Sequence, residues 1–118
     1  DYNEYVTFYH LGAELCGHQG LIHGGLIATL LDESLTRTAF PLFEKKTGVT
    51  GYLNINYRSP SYADNYFVII GKVVERHERK IKVSGYIKNL TWDKSIDEEI
   101  LLVEAECLAV QPRYADHL

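Results

Sequence analysis

The chain has 118 residues, of which 46% are hydrophobic, and a formal net charge of −4 at pH 7. This length suits a single domain with one core over residues 1–118, and the negative charge argues against a general affinity for nucleic acid. No apolar run reaches the roughly 18 residues of a membrane span. Cys16 and Cys107 are too few for a disulfide framework and fit a reducing, intracellular compartment. Because the chain has no methionine, we expect it to be trimmed or processed, with any targeting segment lost.

The first predicted element is a strand. Residues 5–11 are rich in aromatic and β-branched side chains, which favours a first strand or an edge element of a sheet. Residues 13–22 then form a loop punctuated by glycine, with Cys16 and His18 close together in it. That pair suggests a thiol nucleophile, but a free cysteine is more often a small hydrophobic residue. We therefore expect no thiol chemistry in this loop.

The second predicted element is a long helix. His23 is followed by Gly24 and Gly25, and then by a run without glycine or proline that reaches Phe40. This pattern predicts a close backbone approach that opens a helix of about four to five turns. One narrow face of that helix carries only small side chains and a single carboxylate: Gly25, Ala28, Thr29, Asp32, Thr36 and Ala39. Most of the remaining surface is apolar, so we expect the helix to be buried.

Asp32 is the unusual residue of this helix, because a buried carboxylate costs several kcal/mol unless it is paired or used. It is either a structural acid, with Gly24 and Gly25 serving close packing, or a general base or nucleophile. In the second case the N–H groups at the helix N-terminus would stabilise a developing oxyanion. Gly24 and Asp32 are roughly 12 Å apart along a helix, so they cannot act on one carbonyl carbon within a chain. Two antiparallel helices across a two-fold axis would bring them together.

After a polar turn the hydrophobic period changes to two. Apolar and polar residues alternate along the next stretch, as in Leu53, Asn54, Ile55, Asn56, Tyr57 and Arg58. Further strands are predicted over residues 66–75, 80–90 and 100–110, with a charged connection at 76–79 and an acidic turn at 93–99. Four consecutive strands with short connections predict an antiparallel sheet. Because one apolar helix precedes them, we expect an α+β fold in which the sheet wraps the helix.

Three features carry a resemblance to a known family: the HGG opening at residues 23–25, Asp32 nine residues after the histidine, and the run LNINYRSP at residues 53–60. The chain resembles the hotdog-fold acyl-CoA thioesterases and, within them, the PaaI-like group. The closest likeness is to the eukaryotic branch called thioesterase superfamily members four and five, from about residue 17 to residue 110. The resemblance implies a long central helix wrapped by a curved antiparallel β-sheet. It also implies dimers joined edge to edge, or tetramers of two dimers, with active sites at the dimer interface and a mitochondrial location.

The resemblance assigns catalytic roles to residues of the helix opening. The Gly24 N–H would polarise the thioester carbonyl, and Asp32 would activate water or attack the carbonyl carbon directly. His23 would position the loop or contact the thioester. Glu33, beside Asp32, points about 100° away on the helix, so we expect Asp32 to be the acid. The family's hydratase relatives carry a histidine five residues after the aspartate, where this chain has Arg37, so we do not expect hydratase chemistry.

The resemblance also assigns substrate-binding positions: Asn56 and Arg58 to the coenzyme A portion, Arg79 and Ser84 to the nucleotide phosphates and pantetheine arm, and Gly25 and His18 to the substrate. Many members of the group have an amide six residues before the histidine; that position is Gly17 here, and His18 or Gln19 would replace it. Independently of the family, the chain has one basic cluster, formed by Lys72, Arg76, Arg79, Lys80 and Lys82. Such a cluster suits a multiply phosphorylated ligand, or is a solvated hairpin tip.

The sequence thus predicts hydrolysis of an acyl-CoA thioester to a free acid and coenzyme A. Neither a metal nor a redox cofactor is expected, because no cysteine or carboxylate spacing completes a metal site with His10, His18 and His23. The alternative is a non-catalytic module that binds or senses acyl-CoA on the same fold, with Asp32 as a structural acid. A pure dimerisation domain is a third interpretation, which would leave the basic cluster and the Asn56 and Arg58 positions without a purpose.

Overall fold

A five-stranded antiparallel sheet and one long helix form the protein in the computed structural model, which describes residues 3–12, 14 and 20–113. In chain order the elements are β1 (Glu4–Leu11), α1 (Gly24–Ala39), β2 (Val49–Tyr57), β3 (Asn65–Arg76), β4 (Lys80–Leu90) and β5 (Leu101–Val110), with short 3-10 turns at Phe40–Leu42 and Ile96–Glu98. The predicted α+β hotdog architecture is confirmed. None of the helices in the described residues combines the length and hydropathy needed to cross a bilayer.

The strands lie in the order β1-β3-β4-β5-β2, so β1 and β2 form the two edges of the sheet. The predicted edge position of the first strand is therefore confirmed. Although β2 and β3 are consecutive in sequence, they are not neighbours in the sheet. The segment between them, residues 58–64, crosses one end of the sheet. Arg58 N and Ser59 N both donate to Leu102 O, at 2.8 and 3.1 Å, and Ile22 N donates to Ser61 O at 2.7 Å. These bonds hold the crossing segment against the N-terminal end of α1.

The helix packs on one face of the sheet, where the side chains of alternate residues form the core. Its central contact is Leu35, which is fully buried over two glycines, Gly71 on β3 and Gly85 on β4, that lie opposite each other. A Cβ on Gly71 would lie 2.9 Å from Leu35 Cδ2, and a Cβ on Gly85 would collide with the same atom. The glycines thus allow the helix to approach the sheet closely at this point.

The helix is less buried than the sequence predicts. Ile27, Leu31 and Leu35 are buried, but Gly25 and Thr29 are exposed at the N-terminal part of the small-residue face. That face becomes more buried along the helix, and Asp32 in its middle is half-buried. The prediction that this helix is buried is therefore wrong for its N-terminal part within one chain, because α1 covers one side of a single sheet. The desolvation cost of the Asp32 carboxylate is correspondingly smaller than the sequence argument assumes.

Candidate active site

The N-terminus of α1 is capped by a histidine side chain. His23 has an extended backbone, with φ −60° and ψ 129°, and its Nδ1 accepts a hydrogen bond of 2.9 Å from Gly25 N–H. An accepting Nδ1 means a neutral ring whose proton is on Nε2, and this leaves a donor on the exposed side of the imidazole. A Cβ on Gly25 would lie only 3.0 Å from Cε1 and Nδ1 of the ring. Glycine at this position therefore makes room for the cap.

The first helical N–H group remains unpaired within the described residues. Leu26 N and Ile27 N donate to His23 O at 3.1 and 3.2 Å, and Gly25 N is capped, but Gly24 N has no partner among residues 3–12, 14 and 20–113. Free N–H groups and the helix dipole make such a terminus a favourable place for partial negative charge. Gly24 can therefore donate to a bound oxygen without breaking a bond that the fold needs.

Gly24 also lines a groove of about 370 Å³ at this end of the helix. It is lined mainly by apolar side chains from three segments: Leu21, Ile22, Gly24, Ile27, Tyr57, Arg58, Ser59, Pro60 and Ser61. The Tyr57 hydroxyl donates to Gly24 O at 2.9 Å and so fixes the end of β2 against the start of the helix. The groove thus combines apolar walls with a few polar groups, those of Gly24, Arg58 and the two serines.

Asp32 is held from the other end of β2. Its Oδ1 accepts a hydrogen bond of 2.6 Å from the Thr50 hydroxyl. Thr50 is not predictable from the hydrophobic pattern, because strict alternation would place residue 50 on the face opposite Leu53. The strand is irregular between Thr50 and Tyr52, and Thr50 pairs with Ala109 on the helix-facing side. Gly51 at this irregularity is the only sequence signal that points to it.

Glu33, the neighbouring acid, is engaged elsewhere. Its Oε1 lies 2.7 Å from Arg37 Nη2, and both side chains are largely exposed. This ion pair between residues four apart on the helix keeps Glu33 away from Thr50 and from the groove. The two neighbouring acids thus have different partners: Glu33 pairs with Arg37, and Asp32 with Thr50 on β2.

Within one chain the N–H donor and the acid stay apart. Gly24 and Asp32 are eight residues apart on the same helix, which corresponds to about 12 Å. The strand β2 runs along α1 in the opposite direction, with Tyr57 at Gly24 and Thr50 at Asp32. The predicted separation of Gly24 and Asp32 is therefore present in the structure, and a single chain does not bring them together.

The predicted coenzyme A positions on β2, on β4 and just after β2 lie in two places. Asn56 and Ser84 line one polar trough of about 520 Å³ on the outer face of the sheet, together with Glu104 and Glu106. Arg58 borders the groove at the helix, and its Nη2 donates to Glu104 Oε2 at 3.1 Å. His18 and Gly17 lie outside the described residues. Gly25 contributes its N–H to the cap and so supports the helix opening.

The basic cluster lies at and near the turn between β3 and β4. Two of its guanidinium groups contact backbone carbonyls: Arg76 Nη2 donates to Leu42 O at 3.0 Å, and Arg79 Nη1 donates to Pro112 O at 3.3 Å. Lys82 lies 3.4 Å from a carboxylate oxygen of Glu75. These contacts give the cluster a structural role at this end of the sheet. Arg79 directly precedes β4 and is five residues from Ser84, roughly 17 Å along an extended chain.

Cys107, the cysteine among the described residues, is not placed to act as a nucleophile. Cys107 is fully buried on the helix-facing side of β5. Burial, and secondarily the negative charge of Asp32, raises the pKa of its thiol to about 11, so the thiol is protonated at neutral pH. Cys16 lies outside the described residues. Within the described part of the chain, no three His, Cys, Asp or Glu side chains converge as metal ligands.

Comparison with known proteins identifies the family. The family model described as "Thioesterase superfamily" matches residues 19–91, well over half of the chain. The chain belongs to the thioesterase superfamily. The mouse thioesterase superfamily member 2 structure superposes with a TM-score of 0.77 at 22% identity, covering 95% of this chain and 77% of that one. The PaaI protein of E. coli gives a TM-score of 0.75 at 13% identity, with 92% and 72% covered. The predicted family resemblance is confirmed.

Two relatives of this thioesterase-superfamily chain have a higher sequence identity to it than these two solved structures have. A Candida albicans protein named "Uncharacterized protein, mitochondrial" is 37% identical over 111 residues, which are 94% of this chain and 49% of that protein. The mouse acyl-coenzyme A thioesterase THEM4 is 31% identical over 106 residues, 90% of this chain and 42% of that enzyme. The chain thus spans less than half the length of either relative.

Proposed function

We propose that this member of the thioesterase superfamily hydrolyses an acyl-CoA thioester to a free acid and coenzyme A. The observation that carries the proposal is that Gly24 lines a mainly apolar groove and that its N–H has no partner among the described residues. An acyl-CoA places its carbonyl oxygen where such a donor is useful, because that oxygen becomes negative during attack. The likeness to mouse acyl-coenzyme A thioesterase THEM4 supports the same reaction.

In this proposal the acid comes from a second copy of the chain. β2 is an edge strand, so it can pair antiparallel with the β2 of a partner about a two-fold axis. That pairing brings the Tyr57 end of one strand beside the Thr50 end of the other, because the two strands run in opposite directions. Gly24 of one chain then lies near Asp32 of its partner. A homodimer is thus needed to complete each site.

The chemistry follows from these two groups. The Asp32 carboxylate accepts a proton from a water molecule, and the resulting hydroxide attacks the thioester carbonyl carbon. The Gly24 N–H stabilises the oxyanion of the tetrahedral intermediate, a contribution of about 3–4 kcal/mol for one donor in related acyl transfers. The C–S bond then breaks, and the proton is returned to the coenzyme A thiolate. If Asp32 attacks directly instead, an anhydride forms and water hydrolyses it. His23 supports the loop through its cap.

The coenzyme A portion is assigned to polar surfaces. The amide of Asn56 and the hydroxyl of Ser84 line the outer trough and suit the amide groups of the pantetheine arm. Arg58 and Arg79 supply positive charge for the phosphates, although both also contact groups of their own chain. We also propose a mitochondrial location, on the likeness to the Candida albicans protein whose name says mitochondrial.

The test is release of free thiol from acyl-CoAs of increasing chain length by the wild type, Asp32→Asn and Glu33→Gln. We expect Asp32→Asn to lower kcat by about 10²–10⁴-fold with little change in KM, because the amide keeps the shape but takes no proton. Glu33→Gln is the matched control, since its ion pair with Arg37 lies outside the site, and it should stay within about twofold of the wild type.

The outcomes separate the alternatives. Full turnover by Asp32→Asn would remove this residue from the mechanism. If the wild type turns over no acyl-CoA but acyl-CoA raises its thermal midpoint, the chain is a binding module rather than an enzyme. If acyl-CoA has neither effect, the proposal fails as a whole.

A further inference from the structure

The peptide unit between Gly24 and Gly25 is hydrogen-bonded at both of its polar ends. The Tyr57 hydroxyl donates to its carbonyl oxygen, Gly24 O, at 2.9 Å. Its N–H, which is that of Gly25, donates to His23 Nδ1 at 2.9 Å. Because the C=O and N–H of a trans peptide point in opposite directions, these two side chains hold one peptide plane from its two sides.

This peptide plane lies next to the group that the proposed function uses. The Gly24 N–H belongs to the preceding peptide unit, and the two planes share only the Cα atom of Gly24. Glycine has no Cβ to restrict its backbone dihedrals, and the first N–H groups of a helix have no partner within it. Gly24 and Gly25 are also exposed. The direction of the Gly24 N–H therefore depends on bonds that other residues supply.

Tyr57 is itself held by the sheet. It is the last residue of β2, and the N–H of the next residue, Arg58, donates to Leu102 O at 2.8 Å. Its ring lies against Gly24, where a Cβ would meet the hydroxyl oxygen at 3.6 Å and the ring carbon that carries it at 3.8 Å. The hydroxyl thus connects a fixed end of the sheet to a helical turn that begins with two glycines.

The two bonds also run in one direction. The phenol donates to the carbonyl oxygen, the N–H of the same peptide unit donates to His23, and an imidazole that accepts at Nδ1 carries its proton on Nε2. Hydrogen bonds in such a chain polarise and strengthen one another. Loss of the first donor should therefore weaken the second bond, from Gly25 N to His23.

We propose that Tyr57 is a positioning residue of this site, which fixes the direction of the Gly24 N–H through the Gly24–Gly25 peptide unit. The proposal rests on the proposed thioesterase function and adds a residue to it. A donor aimed at the developing oxyanion acts in the transition state rather than in substrate binding. The Tyr57 hydroxyl is bound to the backbone of its own chain, so it need not touch the substrate.

The experiment compares Tyr57→Phe with Tyr62→Phe in the full chain, because phenylalanine keeps the ring and removes only the hydroxyl. Both tyrosines are about half exposed, at 53% and 55%. Tyr62 enters the hydrogen bonds of the described part of the chain through its backbone alone, so it is the matched control. Thiol release from an acyl-CoA gives kcat and KM, and NMR gives the rate of hydrogen exchange at the Gly25 amide.

We expect Tyr57→Phe to lower kcat about five- to tenfold, the effect of one lost hydrogen bond, with KM within about twofold of the wild type. Exchange at the Gly25 amide should become about fivefold faster. The Leu31 amide, in the buried middle of the same helix, is the internal reference, since a general loss of stability would speed both. Tyr62→Phe should leave turnover and exchange unchanged.

The outcomes separate the positioning role from the enzyme function. Residue 57 lies on an edge strand, so turnover is compared at protein concentrations at which wild type and variant sediment alike. Unchanged turnover of Tyr57→Phe, or a lower kcat without faster exchange at Gly25 relative to Leu31, would overturn the assignment. Faster Gly25 exchange in the variant, with no turnover by the wild type, would support the hold on the peptide unit and reject the enzyme function alone.

Discussion

Thr50 acts on Asp32 from a different element of the fold. Its hydroxyl donates to Oδ1 at 2.6 Å, and a hydrogen bond to a carboxylate is shorter and stronger than one between neutral groups. Asp32 is half-buried and its side chain has rotational freedom that this bond removes. Thr50 is therefore a positioning residue for the proposed acid, and its own oxygen need not touch the substrate.

Thr50→Val tests this role, because valine keeps the shape and removes the hydroxyl. We expect kcat to fall about tenfold, the loss of roughly one hydrogen bond of 1–2 kcal/mol in the transition state. KM should change little, since the substrate does not contact Thr50. Thr50→Ser, which keeps the donor, should recover most of the turnover. If Thr50→Val is as active as the wild type, or Thr50→Ser is as impaired as Thr50→Val, Asp32 does not depend on this bond.

At the scale of elements, the distance between α1 and the sheet is set by Leu35 and the two glycines beneath it. A Cβ at Gly85 would collide with Leu35 Cδ2 and lie 3.2 Å from Leu35 Cδ1 and from Ile70 O. Neither the helix nor the backbone of β3 can yield without losing other contacts. The position of the helix on the sheet, and hence of its N-terminus, depends on glycine at residue 85.

We expect Gly85→Ala to lower the free energy of unfolding by about 1–3 kcal/mol through overpacking. In the double variant Leu35→Ala/Gly85→Ala, the loss should be smaller than the sum of the two single losses, because the colliding methyl group is gone. Urea unfolding of the four proteins measures this. Gly24→Ala is the control: its Cβ meets Tyr57 OH at an ordinary 3.6 Å, so stability should be unchanged or slightly higher. Additive losses in the double variant would show that Leu35 does not cause the effect.

The elements themselves follow from local patterns. The helix opening at Gly24, the boundaries of β4 and the alternation along β2 depend on glycine placement and hydrophobic period, which are local in sequence. The order of the strands does not follow from these signals. Its cause is a set of long-range hydrogen bonds, such as Arg58 N to Leu102 O, which no local pattern encodes. The consecutive strands β2 and β3 therefore do not pair.

The residues of the candidate site also differ in whether the sequence alone reveals them. Gly24, His23 and Asp32 belong to one helix opening and are visible in sequence as a spaced motif. Thr50 is invisible there, because the irregularity beside Gly51 reverses the face on which it lies. The half-buried state of Asp32 was also not predictable, since it depends on how much of α1 a single sheet covers.

At the scale of the whole molecule, the two parts of the proposed site lie at opposite ends of the edge strand β2. Gly24 N–H lies at the Tyr57 end of β2 and Asp32 at the Thr50 end. In our proposal the site is incomplete in one copy, and pairing of β2 with a partner's β2 completes it. A shared site of this kind has a direct genetic test, because each chain of a dimer supplies a different half of each site.

The test needs a variant that removes the Gly24 N–H without disturbing the helix. Gly24→Pro meets this requirement, since proline is favoured at the first helical position. The preceding residue, His23, already has ψ 129°, within the range that a following proline requires. Because Gly24 N has no partner among the described residues, its loss removes no hydrogen bond from that part of the fold. Gly24→Ala, which keeps the N–H, is the matched control for the added side-chain atoms.

The measurement that we would make first is the activity of a heterodimer of Asp32→Asn and Gly24→Pro chains, purified by a different tag on each chain. Both homodimers should be inactive. In the heterodimer one site combines both lesions, whereas the other combines the intact Gly24 of one chain with the intact Asp32 of its partner. We therefore predict about half of the wild-type turnover per dimer. A heterodimer as inactive as its two parents would contradict the shared thioesterase site.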